Sequence, residues 1–269
     1  MILSICDVLS QNSYDMVEYQ RITDSVKSFS TSDKGLKIVK TALLLLNKPY
    51  KSNTLEINYP DEFTVINLSE FDCLTFVENV VALVNNANSN NASFDNFKCE
   101  IENLRYRNGL NKGWSSRLHY ASDWIYDNCK KGLISDVTLT TGGNRFVKDI
   151  CFMSNRCDKY NALMNNTVHQ NEIKQIEKQI NARQSYCYIA KDKLPETESK
   201  ISSGSIIFIA TNIPMLDYSH TGIAYQNKGK LYLIHASSVL KKIVVSDVPL
   251  IDYLNSNNSM KGISVLKVL

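Results

Sequence analysis

Cys73, His220 and His235 are the residues of this chain whose types and settings could together do covalent chemistry. Cys73 stands in Glu70-Phe71-Asp72-Cys73-Leu74-Thr75-Phe76-Val77-Glu78, where an irregular stretch gives way to apolar residues at helical spacing: Leu74, Val77, Val81 and Val84. Asp72 is a suitable N-cap, which puts Cys73 on the first helical turn among unpaired backbone N–H groups and at the positive end of the helix dipole. Such a setting stabilises a thiolate. A lone cysteine at a helix start is, taken alone, more often a small core residue. His220, in Ser219-His220-Thr221-Gly222-Ile223, and His235, in Leu231-Tyr232-Leu233-Ile234-His235, alter that balance because both sit in strand-like segments rich in Tyr, Ile and Leu.

Between the two segments lies Gln226-Asn227-Lys228-Gly229, with the composition of a turn. A hairpin centred between Asn227 and Lys228 pairs His220 directly with His235, with Cβ atoms roughly 4.5–5.5 Å apart on one face. A one-residue slip would separate the rings onto opposite faces. Two imidazoles so placed supply a base and the group that orients it, which is the relay a cysteine nucleophile requires. The backbone N–H of Cys73 is a natural oxyanion donor. A metal site built from His220, His235 and Cys73 is chemically possible. The spacings of zinc fingers and zincins are absent, so no cofactor is expected.

The elements needed to position these residues are legible. The residues of 10–47 read as two helices, the second over 34–46, ending before Pro49. The nucleophile helix spans 73–86, and an exposed Asn/Ser-rich loop covers 85–93. Residues 117–131 and 169–183 read as helices, and 184–190 as a strand. The last part is strand-dense, at 205–210, 220–225, 231–236, 242–246 and 262–268 with short turns between, which argues for an antiparallel sheet. Helices first and sheet after is an α+β arrangement. The whole chain reads as one domain over 1–269, divided into N-terminal helices (1–47), a nucleophile segment (48–93), a helical insertion (94–195) and the sheet that carries the histidines (196–269).

The chain has 269 residues, 43% of them hydrophobic, enough for one sizeable core. Its 30 basic and 27 acidic residues give a net charge of +3, too balanced to imply nucleic acid or an anionic membrane as partner. The aliphatic stretch at 41–46 is far short of the ~20 apolar residues of a membrane span. Residues 1–6 are too few for a secretory signal. Seven cysteines leave one unpaired in any full set of disulfides. Cys151 and Cys157 are the closest candidates for a bridge, against the alternative that all are reduced.

The order of a helix-start cysteine, His-Thr-Gly-Ile and then His-Ala-Ser resembles NlpC-type cysteine peptidases and amidases, and in particular their N-acetylmuramoyl-L-alanine amidase branch. Asn47-Lys48-Pro49-Tyr50 with Asn53-Thr54-Leu55-Glu56 is similar to the branch's loop before the nucleophile, and Phe71 to Glu78 to its nucleophile motif. Ser116-Arg117-Leu118-His119-Tyr120 with Asp123-Trp124 is similar to its inserted segment. Thr211-Asn212-Ile213-Pro214, Leu216-Asp217 and Ser219-His220 are similar to its base motif. The departures are Gly204-Ser205 where the family has Gly-Asp, and Asn47-Lys48 where a Gly is common. The resemblance implies a papain-like core and cysteine-dependent cleavage of the muramoyl-L-alanine amide in peptidoglycan fragments, with anhydro-muropeptides as substrates. It also implies an exported, periplasmic enzyme, and a monomer is expected. Alternatives of the same and of a different class are a stem-peptide endopeptidase and a silent glycan- or peptide-binding module.

Candidate substrate contacts are Tyr50, Thr54, Glu56 and Asp72 around the nucleophile, and Asp217 three residues before His220. Further contacts are expected on the helix over 117–131. There Tyr120, Asp123 and Trp124, with Arg117 a turn earlier, fall on one face, and His119 adjoins them. An aromatic beside Arg and Asp suits a pyranose ring, although the same pattern fits an amphipathic helix with an internal ion pair. Tyr106 is a weaker candidate of that kind.

Overall fold

The computed structural model describes residues 5–56, 61–183 and 186–269, with side chains from residue 13 onward. The side chain of Cys6 and the first two residues of the 184–190 strand lie outside the described portion. Helices α1 (Ile5–Ser28), α2 (Lys34–Leu44), α3 (Cys73–Asn88) and α4 (Phe94–Arg105) come first. Then follow α5 (Ala121–Lys130), β1 (Ile134–Asp136), the single turn α6 (Thr138–Thr141), β2 (Asn144–Phe146), α7 (Thr167–Arg183) and β3 (Tyr186–Ala190). The short α8 (Leu194–Thr197) leads into β4 (Ile206–Thr211), β5 (Tyr218–Asn227), β6 (Lys230–Ser237), β7 (Lys242–Val245), α9 (Leu250–Asn255) and β8 (Met260–Val268). The architecture is mixed α+β, with helices packed on an antiparallel sheet.

The sheet runs β2-β3-β8-β4-β5-β6-β7, with β1 paired to β8 beyond the end of β3. Its central strands are buried on both faces, and their side chains alternate between two cores. Ile206, Phe208 and Ile223 face the helices α1 to α5, whereas Ile207, Ile209, Ala224 and Leu233 face α9 and the segment around Leu194. The segment 94–195 contributes β1, β2 and β3 to this sheet as well as helices.

α3 is the axis of the helical layer. It packs on α1, α2 and α4 and on strands β5 and β6. Val77, Val80, Val81, Leu83 and Val84 are fully buried. At ~1.5–3 kcal/mol for each such side chain, this helix cannot shift without a large loss. The helix also runs further than its sequence suggests, to Asn88, so Asn85, Asn86 and Ala87 are helical, with Asn86 buried under Tyr19, and not part of an exposed loop.

The β5–β6 hairpin departs from the expected register. Asn227 pairs with Lys230 and Ile223 with Ile234, so the two-residue turn is Lys228-Gly229. Both turn residues have positive φ, 49° and 75°, the twist that a right-handed hairpin favours and that Gly supplies without strain. The shift is two residues in the pairing, so the face of every side chain is preserved. His220 and His235 are therefore diagonal neighbours and not directly opposed.

Two other expectations are corrected. Helix α5 begins at Ala121, because Arg117 is held in extended backbone pairing with Tyr106. Cys151 and Cys157 are not bridged; both are free thiols, with Cys157 Sγ 3.2 Å from the Ser154 carbonyl oxygen within a short helical turn.

Candidate active site

The N-terminus of α3 is built by Asp72. Its carboxylate accepts the N–H of Thr75 at 2.8 Å, while Thr75 Oγ1 accepts the N–H of Asp72 at 3.0 Å, a reciprocal cap that fixes the first turn. Thr54 Oγ1 braces the second carboxylate oxygen at 3.2 Å. Asp72 and Thr54 thus hold the helix end. The N–H groups of Cys73 and Leu74, which this cap does not use, face the Cys73 thiol, as does that of Thr221 on β5.

Partial burial and the Asp72 carboxylate push the Cys73 thiol up, to about 12, against those N–H groups. The helix terminus does not win here: desolvation outweighs it, and the resting thiol is neutral, contrary to the thiolate expected from position alone.

His220 Nε2 lies 2.8 Å from His235 Nδ1, with the rings at 86°. Gly222 makes room for this contact, since a Cβ there would stand 3.0 Å from the Cβ of His235 and 2.6 Å from the Ile234 carbonyl oxygen. The edge of Tyr253 closes the far side of His235 at 5.3 Å. Burial lowers His220 to about 3, with His235 adding to the effect, and lowers His235 to about 4. Both rings are therefore neutral near pH 7. When His220 Nε2–H donates to His235 Nδ1, the His220 Nδ1 lone pair remains to accept a proton.

Cys73 and His220 line one cavity of about 440 Å³, together with Glu56, His119, Tyr120 and Asp217. Tyr50 and Tyr253 lie close enough to the thiol that its ionisation would raise both phenols. Asp217 is 1% exposed, and its carboxylate accepts the N–H of Ser122 at 2.7 Å and that of Tyr218 at 2.8 Å. It thereby ties the strand bearing His220 to the start of α5. Lys148 steadies the same loop by donating to the carbonyls of Thr211 and Ile213.

The face expected to hold a sugar is instead spent inside the protein. Trp124 is fully buried against Phe208 and donates its indole N–H to Glu78 at 3.2 Å. Asp123 is also fully buried, paired with Arg107 and Arg183. Arg117 is 5% exposed and paired with Glu56 at 2.5 Å, and Tyr106 donates to Glu62 at 2.9 Å. The amphipathic pattern was real, but its apolar face packs on the sheet. Tyr120 is buried too; its hydroxyl donates to Glu177 and accepts the N–H of Met153 at 2.7 Å, anchoring a strap over 151–163.

That strap supplies the cavity wall that spacing did not reveal: Phe152, Met153, Lys159, Tyr160 and Asn161. Trp114 completes it, packed at a tilt against His119 at 4.0 Å and stacked on His169 at 5.1 Å. The only signal in the sequence was the cluster of Phe152, Met153 and Tyr160 within a turn-rich stretch.

No group of three or more His, Cys, Asp or Glu that could hold a metal occurs among the described residues. No described helix is long and apolar enough to cross a membrane.

Comparison with known proteins gives this geometry a context. The sequence model of the AmiA-like, N-acetylmuramoyl-L-alanine amidase-like family matches residues 40–263. The structure is similar to that of an N-acetylmuramoyl-L-alanine amidase from Bacteroides uniformis ATCC 8492, with 37% identity, 87% of this chain and 98% of that one covered, and a TM-score of 0.81. It is also similar to a Bacteroides fragilis protein named as a candidate xylanase, at 36% identity over 84% of this chain and 98% of the other, with a TM-score of 0.77. A Legionella pneumophila str. Philadelphia 1 protein shares the fold at 22% identity, over 97% of this chain and 96% of that one, with a TM-score of 0.73. None of the curated proteins compared with the chain matches it.

Proposed function

Because the chain belongs to the AmiA-like, N-acetylmuramoyl-L-alanine amidase-like family, we propose that it hydrolyses the amide between the lactyl group of muramic acid and L-alanine in peptidoglycan fragments, anhydro-muropeptides in particular, with Cys73 as nucleophile. On this reading the core is papain-like and of the NlpC type, and the protein acts as a monomer in the periplasm. The observation that carries the proposal is the His220–His235 hydrogen bond beside a cavity that also holds a helix-start cysteine. A glycosidase reading, suggested by the second relative's name, needs two carboxyl groups free to act on either side of a bond. Both carboxylates of this cavity are engaged, Glu56 by Arg117 and Asp217 by two backbone N–H groups, which favours the amidase.

The chemistry follows from the neutral resting pair. His220 takes the thiol proton as Cys73 Sγ attacks the lactyl carbonyl carbon, so that no free thiolate need accumulate. The N–H groups at the start of α3 stabilise the oxyanion. His235 holds the His220 tautomer and shares the imidazolium charge. The proton then passes to the departing α-amine of alanine. Water attacks the thioester with His220 again as base, releasing the muramic acid carboxylate and restoring the thiol.

The pH profile tests this account. His220 must be unprotonated to act, and its depressed value means protonation begins only well below the ordinary 6.5. kcat/KM is therefore expected to stay level from about pH 5 to about pH 9 and to fall only at more acid pH. An acid limb centred near 6.5 would refute the buried neutral pair.

Product masses test the bond. Incubation with a muropeptide is expected to release the intact stem peptide bearing a free alanine amine, and the free stem peptide, which lacks the lactyl amide, should remain uncut. Cleavage inside the stem, at similar rates with or without sugar, would reject the amidase in favour of an endopeptidase.

A further inference from the structure

The His119 ring lines the cavity that contains Cys73. Its Nε2 lies 2.9 Å from the carbonyl oxygen of Trp114. A carbonyl only accepts, so Nε2 must carry the hydrogen. The ring is also packed against the Trp114 indole at 4.0 Å, which in turn stacks on His169, so its plane is fixed, and turning it over within that plane would forfeit the bond to the Trp114 carbonyl. Burial, with Arg117 nearby, holds His119 well below the usual imidazole range, so the second nitrogen is unprotonated. The tautomer is thereby locked, and Nδ1 is a pure acceptor with no hydrogen-bond partner among the described residues.

We infer that His119 is a specificity-determining binding residue that accepts a hydrogen bond from an N–H donor on the sugar side of the substrate, the 2-acetamido N–H of muramic acid. This rests on the amidase reading above. The lactyl group is carried at the ring position next to the acetamido group, so this N–H is the sugar's amide donor nearest the scissile carbonyl. A site built as an acceptor discriminates strongly, because a bound ligand without the donor covers the lone pair and leaves it unpaired. The sugar is thus recognised at an aromatic-backed histidine, in place of the buried Trp124.

The two nitrogens of the ring allow a directed test. In His119→Gln the side-chain amide can still donate to the Trp114 carbonyl but offers no acceptor at the Nδ1 position. In His119→Asn an oxygen stands near that position. On an anhydro-muropeptide, His119→Gln is expected to lose about 10- to 100-fold in kcat/KM, with His119→Asn retaining more activity. On a lactyl-peptide without the sugar ring, His119→Gln should match the unsubstituted protein. Equal losses on both substrates, or no loss on either, would overturn the inference. Binding of 1,6-anhydro-N-acetylmuramic acid to the Cys73→Ala protein reads the contact without hydrolysis. It should weaken at least 10-fold on adding His119→Gln, and unchanged affinity would likewise overturn it. If neither substrate is cut by the unsubstituted protein but this sugar binds through His119, the amidase reading fails and the binding residue stands.

Discussion

Cys73→Ala is expected to lower kcat on a muropeptide by at least 10³-fold, on the scale seen when a nucleophile that acts as one unit with its base is removed. The fold should survive, because the side chain is small and only partly buried and the cap made by Asp72 and Thr75 does not involve it. Circular dichroism and an unchanged thermal midpoint would establish this. His220→Ala should cost nearly as much, since the neutral thiol has no other base within its reach in the proposed mechanism. The informative measurement is the double variant. If Cys73 and His220 act as a unit, the second substitution adds almost nothing to the first. Additive losses would mean that His220 serves some other purpose, and an active Cys73→Ala protein would sink the cysteine mechanism. Retained muropeptide binding without any hydrolysis in the unsubstituted protein would favour the binding-module alternative.

How much of this was legible in the sequence depends on the range of the interaction concerned. The start of α3 was readable because Asp72, Thr75 and the apolar repeat after Cys73 are local signals. The central strands were readable for the same reason, and so was the shared face of His220 and His235, which survives a two-residue error in register. The register itself was not, because Asn227-Lys228 and Lys228-Gly229 both look like turns, and only the pairing of the flanking strands decides between them. The thiol's acidity was misjudged because a helix dipole can be read from sequence, whereas desolvation depends on which distant chain covers the site. The strap over 151–163 was invisible because its position over the cavity depends on Tyr120 and Glu177, 57 positions apart in the chain. Trp124, Asp123 and Arg117 were misplaced because one helical face with an aromatic and charges serves a sugar or a core equally well. What separates the two is the burial of each group's partners.

Those partners make the core beneath the site the place where a single substitution should do most damage to stability. Glu78 is fully buried on α3, five residues after Cys73. One carboxylate oxygen takes the Nε–H of Arg105 on α4 at 2.8 Å, and the other takes the indole N–H of Trp124 on α5 at 3.2 Å. Arg105 also donates to the Val65 carbonyl at 2.6 Å. One side chain therefore fastens the nucleophile helix to the two helices behind it. Burial raises its carboxyl, and Arg105 opposes this, so the pair survives only as a pair. Glu78→Ala leaves the buried Arg105 guanidinium without its counter-charge and the Trp124 indole N–H without its acceptor, and opens a cavity. Unfolding stability is expected to fall by about 3–5 kcal/mol, read as a lower denaturant midpoint. Activity at low temperature should fall too, because α3 loses its tie to α4 and α5. The decisive control is Glu78→Leu combined with Arg105→Met, which removes both charges at similar volume. It should restore much of the lost stability, since the cost of breaking a buried pair lies mainly in the charge left behind. If the double variant is as unstable as Glu78→Ala, the loss comes from packing alone and the ion pair is not what holds α3 in place.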